Sequence, residues 1–562
     1  MKKLTCMILT AVVALWAGIL KPAEAGESPK GESLHVGVLS GPKSMNFLGA
    51  TDVWSRRVLR LIHMPLYIRD PRDGSVLPWL AERKPESDPK GLIVTVRLKE
   101  AHWDDGTPIS SDDLLYTWEV IRRFNVPGHV EHWQMVERVE ALDPRTIRFI
   151  LKEPSAAFFN ETLLTPFLQK KAWAPLIQPL EGTENAARRL TGLKPDRVPS
   201  SGPFSIVNDP SHDFVLMKRN PHFFAQGEDI AGMQVGPYVD WVVFHVYRNV
   251  GEALAALKNG EIDFYAGDVC EESVEELKNE PGLQFFRTDR RGYDYLGFNL
   301  RRSPYHDRVF RQAVAALINR EAMIDKAFAG DVAPARSVIP PHNAFWCDAQ
   351  LQLPGDGLAD DDARLDAARE SLRKAGYTWE KNSLVLPTGD KMPPMELLTT
   401  PAGCRPDRFA AALLLKKWLA RLGVQVTIRM LALQDLLKAL SAGEFDVYLM
   451  GWTNLSDEPA YLNTFFHSRE ARLGGKNYPG FKNAEFDRLA ESAQREVDPL
   501  KRKEHVVGMQ RLIAKELPYI PLYSKKKIDA VRIDRLTGWV PQPGGVGNLW
   551  SFLMVRPAKT EK

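Results

Sequence analysis

Short apolar stretches alternate with amphipathic stretches along most of the chain. Stretches with a strand pattern lie at 34–39, 92–98, 146–151, 240–247, 262–265, 424–430 and 445–450. Stretches with a helical pattern lie at 114–123, 250–259, 307–319, 409–422 and 433–440. Gly260 and Gly423 follow two of the helical stretches, and glycine is the usual residue just beyond a helix C-terminus. The alternation of strands and helices predicts an α/β fold.

Two polar stretches predict helix N-termini. Ser110 lies three residues before Asp113, which places oxygen acceptors on the free N–H groups of the first helical turn. Asp360, Asp361 and Asp362 also precede a helical stretch. A calcium loop would need alternating ligands and a turn glycine, so we interpret the three acids as a helix start.

The first residues have the layout of a secretory signal peptide. Lys2 and Lys3 come before an apolar stretch over 4–20, and the small residues Ala23 and Ala25 follow it. The alternative is a membrane anchor, but a stretch of ~17 residues is short for a span. We expect cleavage after Ala25 and a mature protein in the periplasm.

The composition is that of a globular protein with little net charge. Hydrophobic residues make up 44% and charged residues 26% of the 562 residues, a length typical of about three to four domains. The chain has 74 basic and 71 acidic residues, and removing 1–25, with three basic and one acidic, leaves 71 against 70. This balance indicates no strong field toward nucleic acid, an anionic membrane or an acidic substrate.

Three cysteines remain beyond the predicted cleavage site, namely Cys270, Cys347 and Cys404. Export would permit one disulfide among them, but spacing does not select the pair, and three buried thiols are the alternative. No Cys or His pair lies at a zinc-site spacing beside a second such pair, so we predict no metal site.

Catalytic motifs are absent from the sequence. It contains no G-x-S-x-G, no H-E-x-x-H, no P-loop and no G-x-G-x-x-G. Four S-x-x-K matches lack the S-D-N and K-T-G partners of a penicillin-recognising enzyme. His129 and His132 follow Pro127-Gly128, so we interpret them as solvated loop histidines. We therefore predict no enzyme and no cofactor.

Aromatic and polar residues instead collect at the ends of predicted strands. Gly451 and Trp452 follow the strand at 445–450, and Tyr295 lies on a strand-like segment that ends at Asn299. Trp54 and Asp52 lie near the chain start. Ligands of open α/β sheets bind beyond the carboxyl ends of strands, so these residues are candidates for a ligand cleft. The alternative is that they are ordinary core aromatics.

An ordered series of short motifs carries a family resemblance. The most recognisable is His102 to Pro108, HWDDGTP, which continues to Leu114. The others lie at 77–81, 96–98, 201–204, 220–224, 257–263, 296–300, 308–313, 451–453, 458–459 and 518–523. In this order they resemble the extracellular solute-binding proteins of ABC importers, in the family that binds oligopeptides, dipeptides and nickel.

The resemblance implies a two-lobed periplasmic-binding-protein fold of class II with a hinge and an additional inserted domain. The implied first lobe consists of 26–66, 200–289 and 530–562. The inserted domain is 67–199, and the second lobe is 290–529. The resemblance also implies a monomer that encloses its ligand by hinge closure and delivers it to a permease in the inner membrane.

The resemblance implies that residues 51–53 face the ligand from one side and the strand end at 449–453, including Thr453, from the other. Peptide-binding relatives have an aspartate three residues after the tryptophan, where this chain has Leu455. Asp457 is a possible substitute for receiving an amino terminus. Relatives also have an arginine where Leu449 stands, and a disulfide between the positions of Gly292 and Thr453.

We therefore expect a binding protein for a peptide or a peptide-like solute. A nickel or metal chelate and an oligosaccharide are alternative ligands within the same class. An exported hydrolase is the alternative from another class, and a sensor or chaperone that reuses the fold is a third.

Overall fold

The structure is a computed structural model that describes residues 31–207, 214–328, 332–403 and 405–558. The predicted signal peptide and Cys404 therefore lie outside the described residues. Cys270 is exposed and Cys347 is half-buried, and both are free thiols. None of the helices within the described ranges is long and apolar enough to cross a membrane.

The strands and helices alternate, as the sequence pattern predicts. The strands are β1 Ser33–Val38, β2 Tyr67–Arg69, β3 Val76–Pro78, β4 Glu86–Ser87, β5 Ile93–Arg97, β6 Val136–Asp143, β7 Thr146–Leu151, β8 Phe204–Ile206, β9 Phe214–Arg219, β10 Asp229–Ile230, β11 Met233–Gln234, β12 Trp241–Val246, β13 Phe264–Tyr265, β14 Leu283–Asp289, β15 Tyr293–Phe298, β16 Val332–Pro334, β17 Thr378–Glu380, β18 Ser383–Val385, β19 Met395–Thr399, β20 Val426–Met430, β21 Val447–Trp452, β22 Tyr519–Arg532, β23 Leu536–Thr537 and β24 Arg556–Pro557. The helices are α1 Val53–Leu59, α2 Ser111–Arg123, α3 Val130–Trp133, α4 Ala156–Asn160, α5 Lys170–Ile177, α6 Ala186–Thr191, α7 Val250–Asn259, α8 Glu271–Leu277, α9 Arg308–Leu317, α10 Arg320–Ala327, α11 Asp361–Lys374, α12 Pro406–Leu422, α13 Leu433–Ala442, α14 Tyr461–Phe466, α15 Ala484–Arg495, α16 Pro499–Glu516 and α17 Leu549–Met554.

One long strand, β22, joins the two halves of the large sheet. The sheet order is β20-β19-β21-β15-β22-β13-β1-β12-β9-β8, and β14 and β16 also pair with β22. The first part of β22 pairs with β15, and its last part pairs with β14 and β13. The chain also passes between the halves where β14 gives way to β15, around Arg290 to Gly292. The two halves of the sheet, joined by these two connections, correspond to the two lobes of the α/β fold.

The half of the sheet that contains β1 has a parallel centre. Strand β1 pairs in parallel with β12 and β13, and α7 connects β12 to β13. Asn249 caps the first turn of α7, and Gly260 ends the helix at φ 76°, in the left-handed region that favours glycine. This half therefore has the strand–helix–strand unit that the sequence pattern predicts.

The other half of the sheet is buried on both faces. On β15, Leu296 and Phe298 face one apolar core, whereas Tyr293 and Tyr295 face a second core. Strand β21 alternates in the same way, with Leu449 in the first core and Met450 in the second. Successive side chains of a strand point to opposite faces, so Trp452 belongs to the face that carries Tyr295.

A separate four-stranded sheet, β4-β5-β7-β6, lies within the range predicted as the inserted domain. Helix α2 packs against β6 and β7, and it begins with a capping box between Ser110 and Asp113. Asp360 caps α11 through the backbone N–H groups of Asp362 and Ala363, so both predicted helix starts are confirmed.

The prediction of solvated loop histidines at 129 and 132 is wrong about the loop and about His129, whereas the side chain of His132 is 39% exposed. Residues 130–133 form the short helix α3, and the ring of His129 packs edge-on against Phe47 at 4.8 Å between ring centroids. Burial lowers the pKa of His129 to about 4, because the charged ring would lose its hydration. The glutamate Glu161 lies 3.6 Å from His132 and raises its pKa.

Candidate functional site

The candidate site lies where the chain passes between the two halves of the large sheet. The segment from Arg290 to Gly292 runs beside the end of β21, and a Cβ on Gly292 would lie 1.8 Å from the carbonyl oxygen of Trp452. The backbone N–H of Leu455 donates to the carbonyl of Arg291 at 2.8 Å. These contacts hold the loop after β21 against the junction and fix where its side chains point.

Trp452 is the aromatic centre of this region. Its ring stacks on Phe465 at 4.1 Å and lies 6.2 Å from the ring of Tyr295. The side chain is partly exposed, yet its indole Nε1 is buried and has no hydrogen-bond partner within the described residues. The exposed part of the ring can contact a ligand through its apolar surface.

Tyr295 and Asn299 are buried behind that surface. Tyr295 is 0% exposed, and its ring stacks on Tyr519 at 4.0 Å. The amide of Asn299 donates to the carbonyls of Gly443 at 3.0 Å and Phe445 at 2.9 Å. In this conformation Asn299 holds the start of β21 in place, and Tyr295 supports the aromatic layer beneath Trp452.

Gly451 makes room for a charged group on the opposite face of β21. A Cβ at this position would lie 2.6 Å from Oδ1 of Asp294 and 2.9 Å from Nη2 of Arg408. Asp294 accepts from Arg408 and Arg405, and Asp407 accepts from Arg405 while Lys525 lies 3.5 Å away. We call these five side chains the paired network: Asp294, Arg405, Asp407, Arg408 and Lys525.

Asp457 lies among cations that belong to the protein. Its carboxylate is 3.3 Å from Arg291, 3.8 Å from His342 and 3.9 Å from Arg69. Burial alone would raise the pKa of Asp457, but the nearby His342 ring and the charges of Arg291 and Arg69 outweigh it and leave the pKa lowered. The Asp457 carboxylate is therefore already paired with basic side chains of the protein before any ligand binds.

Helix α1 brings three arginines to the junction. Asp52 caps this helix by accepting from the backbone N–H of Ser55 at 2.9 Å. Arg57 lies over the ring of Trp54 at 4.7 Å and donates to the carbonyl of Ala266. Thr51 and Val53 are exposed, Val53 by 61%. The residues predicted near the chain start thus lie on one helix beside the junction.

The third arginine of α1's end, Arg60, has an unusual setting. Arg60 keeps an exposed surface, yet the surrounding protein displaces part of its hydration and lowers its pKa, and the charges of Arg291, Arg57 and Arg56 lower the pKa further. Within the described residues no carboxylate lies within 4.0 Å of Arg56, Arg57 or Arg60. We call Arg56, Arg57, Arg60 and Arg291 the arginine cluster.

Sequence reasoning missed Arg60, Arg291, Arg69 and His342. Arg56, Arg57 and Arg60 do share one short helix, which is a visible signal, but nothing local shows that they lack acidic partners.

Thr453 is exposed beside Gly292. No group of three or more metal-ligating side chains occurs within the described residues.

Comparisons with known proteins agree with one another. Residues 75–472 match the family model described as bacterial extracellular solute-binding proteins, family 5 Middle. The chain is 26% identical to the oligopeptide-binding protein AppA of Bacillus subtilis over 506 residues, covering 89% of this chain and 87% of the relative.

Solved structures resemble the fold over nearly the whole chain. The ABC transporter substrate binding protein CtaP of Listeria monocytogenes superposes with a TM-score of 0.76 at 21% identity, covering 94% of this chain and 99% of that one. AppA of Bacillus subtilis in complex with a nonapeptide gives a TM-score of 0.69 at 23% identity, with coverages of 94% and 99%.

Proposed function

Because this chain belongs to family 5 of the bacterial extracellular solute-binding proteins, we propose that it captures a peptide or peptide-like solute between its two lobes for an ABC importer. The relative with an oligopeptide-binding name spans most of the chain, which supports the peptide class. The observation that carries the proposal is the junction itself, where Trp452 stacks on Phe465, Arg291 lies 3.3 Å from Asp457, and the charge of Arg291 lowers the pKa of Arg60 at the end of helix α1.

The proposed mechanism is hinge closure followed by delivery to the membrane permease. The hinge consists of the two connections between the sheet halves, near 290–292 and near 524–526 in β22. Contacts between the proposed inserted domain and the proposed second lobe include Arg69 with Asp457 at 3.9 Å and Glu153 with Arg495 at 2.9 Å. A ligand with different contacts in the open and closed forms would shift the population toward the closed form.

The domain boundaries expected from the sequence are also part of this proposal. The first lobe would comprise 26–66, 200–289 and 530–562, the inserted domain 67–199, and the second lobe 290–529. The separate sheet β4-β5-β7-β6 supports the inserted domain, and the change of partners along β22 supports the two lobes. We also propose a cleaved signal peptide at 1–25, a periplasmic location, a monomer, and binding without chemical turnover.

Replacing Trp452 by alanine tests the site. We expect Trp452→Ala to weaken peptide binding by about 30-fold, because truncating a central aromatic residue of a binding site costs ~2 kcal/mol. The measurement is isothermal titration of each variant with the solute that co-purifies with the wild-type protein and is identified by mass spectrometry.

Trp379 supplies the matched control for that experiment. It is also half-buried, but it lies in the β17–β18 hairpin and donates to the carbonyl of Leu422 at 2.7 Å. Trp379→Ala should leave the affinity unchanged. Equal affinity of Trp452→Ala and wild type would move the ligand site away from the end of β21.

A further inference from the structure

The junction contains more positive charge than the protein itself neutralises. Asp457 is the nearest carboxylate to Arg291, but it is shared with Arg69 and His342. Asp268 and Asp529 reduce the effect of burial on Arg57, yet Asp268 is also paired with Arg290 at 3.0 Å. Arg60 is left without a carboxylate of its own in the described ranges, and a guanidinium cannot lose its proton to relieve this.

Backbone carbonyls hold two arginines of the cluster, Arg291 and Arg56, in position. Arg291 Nε donates to the carbonyl of Pro543 at 3.0 Å, and Arg56 Nε donates to that of Ala50 at 3.2 Å. The second of these contacts leaves the other guanidinium N–H groups of Arg56 available, since each guanidinium carries five donors. Charges that are fixed before binding lose little entropy when a ligand arrives.

Buried donors near the same segment also lack acceptors. Trp452 Nε1 and the hydroxyls of Tyr293 and Tyr461 have no hydrogen-bond partner within the described residues. Tyr461 lies close enough to Asp457 for that carboxylate to raise its pKa, after burial. An indole N–H can only donate, so the missing partner of Trp452 is an acceptor.

Resting on the proposed function above, we propose that the solute is anionic: an acidic peptide whose carboxylates lie against Arg60 and Arg291. Carboxylates match the planar fork of an arginine and can accept two hydrogen bonds at once. Leu455, in the loop after β21, is buried and offers no counter-charge for a ligand cation.

Isothermal titration with matched peptides tests the ligand charge. The probes are alanine peptides of equal lengths, each with an interior Glu, Gln or Lys, and citrate as a carboxylate that is not a peptide. We expect the Glu peptides to bind about 10- to 100-fold more tightly than the Gln peptides, and the preference to shrink between about 0.05 M and about 0.5 M salt.

Substitutions of Arg60 locate the effect. Arg60→Gln should remove most of the preference for Glu over Gln peptides, whereas Arg60→Lys should keep part of it because the charge remains but the fork is lost. The control is Arg138→Gln, because Arg138 is an exposed arginine on β6 with a 63% exposed side chain. Thermal unfolding of each variant separates a loss of binding from a loss of fold.

The outcomes separate the two proposals. If Gln or Lys peptides bind as tightly as Glu peptides, the anionic ligand is excluded while peptide binding stands. If citrate binds and no peptide does, the anionic site stands and the peptide class is wrong. If neither the Glu peptides nor citrate bind, or if Arg60→Gln keeps the full preference, the inference is overturned.

Discussion

Two groups of arginines near the junction differ in what surrounds them. In the paired network, Arg408 lies 2.7 Å from Asp294 and Arg405 lies 2.8 Å from Asp407. In the arginine cluster, Arg60 has three other arginines as its charged neighbours. The first group resembles a structural ion-pair network, whereas in the second only Arg291 has a carboxylate of the described residues within 4.0 Å, that of Asp457. The comparison shows that the balance of charge around an arginine distinguishes a structural ion pair from a ligand-binding group.

The pKa shifts of Arg405 in the paired network and Arg60 in the arginine cluster have opposite directions. Burial alone would lower the pKa of Arg405, but Asp294 and Asp407 outweigh it, so the pKa is raised. Burial also lowers the pKa of Arg60, and there the neighbouring charges lower it further. The partners of Arg405 thus favour its charged form, whereas the surroundings of Arg60 disfavour its charged form.

The largest expected effect is on the paired network. Asp294→Asn leaves Arg405 and Arg408 facing a neutral amide in a buried position, and breaking a buried ion pair costs about 3–5 kcal/mol. The measurement is the free energy of unfolding in urea. Asp362→Asn is the control, because its carboxylate is 83% exposed beside Arg421, and it should cost less than about 1 kcal/mol. A loss below 1 kcal/mol for Asp294→Asn would mean that the network is not structural.

The next effect is a pH dependence that follows from His63, three residues beyond Arg60. His63 is 4% exposed, and burial lowers its pKa from 6.5 to about 4. The unfolded chain then binds a proton that the folded chain does not, so stability falls as the pH decreases from about 6.5 toward 4. Between about pH 7 and pH 5 this one group should cost about 2 kcal/mol of unfolding free energy.

His63→Phe isolates that contribution. Phenylalanine keeps an aromatic ring beside Phe47, whose centroid lies 5.9 Å from that of His63, and it cannot titrate. Urea unfolding at both pH values should show a smaller pH dependence for the variant than for wild type. The same slope in both proteins would assign the acid sensitivity to other groups.

The smallest expected effect concerns Asp457, which lies beside Arg291 of the arginine cluster. Asp457→Asn frees Arg291 and Arg69 from a partly exposed ion pair, which should tighten binding of an acidic peptide by about 0.5–1 kcal/mol. If Asp457 instead receives a ligand cation, the same change should weaken binding by about 1.5–3 kcal/mol. Isothermal titration with the acidic and neutral peptides distinguishes the two signs.

Local patterns predicted most of the elements in the sheet halves. Helix α7 matches its predicted range of 250–259, and β7 matches 146–151, because caps, turns and apolar periodicity are local properties. The two-lobed fold is also confirmed, although it followed from ordered family motifs rather than from any single pattern.

The rest depended on contacts between distant parts of the chain. Nothing near Tyr519 indicates that β22 pairs with β15 at one end and β14 at the other. Arg60 and Arg291 are far apart in sequence, so their mutual repulsion is visible only in three dimensions. Strand alternation alone could have placed Tyr295 on the same face as Trp452, but not its full burial.

Native mass spectrometry gives the most direct test that the junction encloses a peptide. The wild-type protein is partly unfolded to release any co-purified solute, refolded with a mixture of acidic, neutral and basic peptides, and measured under native and denaturing conditions. The proposed function predicts a single peptide adduct that disappears on denaturation, with the acidic peptides enriched in it. A native mass equal to that of the chain alone, from a protein shown to be folded, would contradict the assignment.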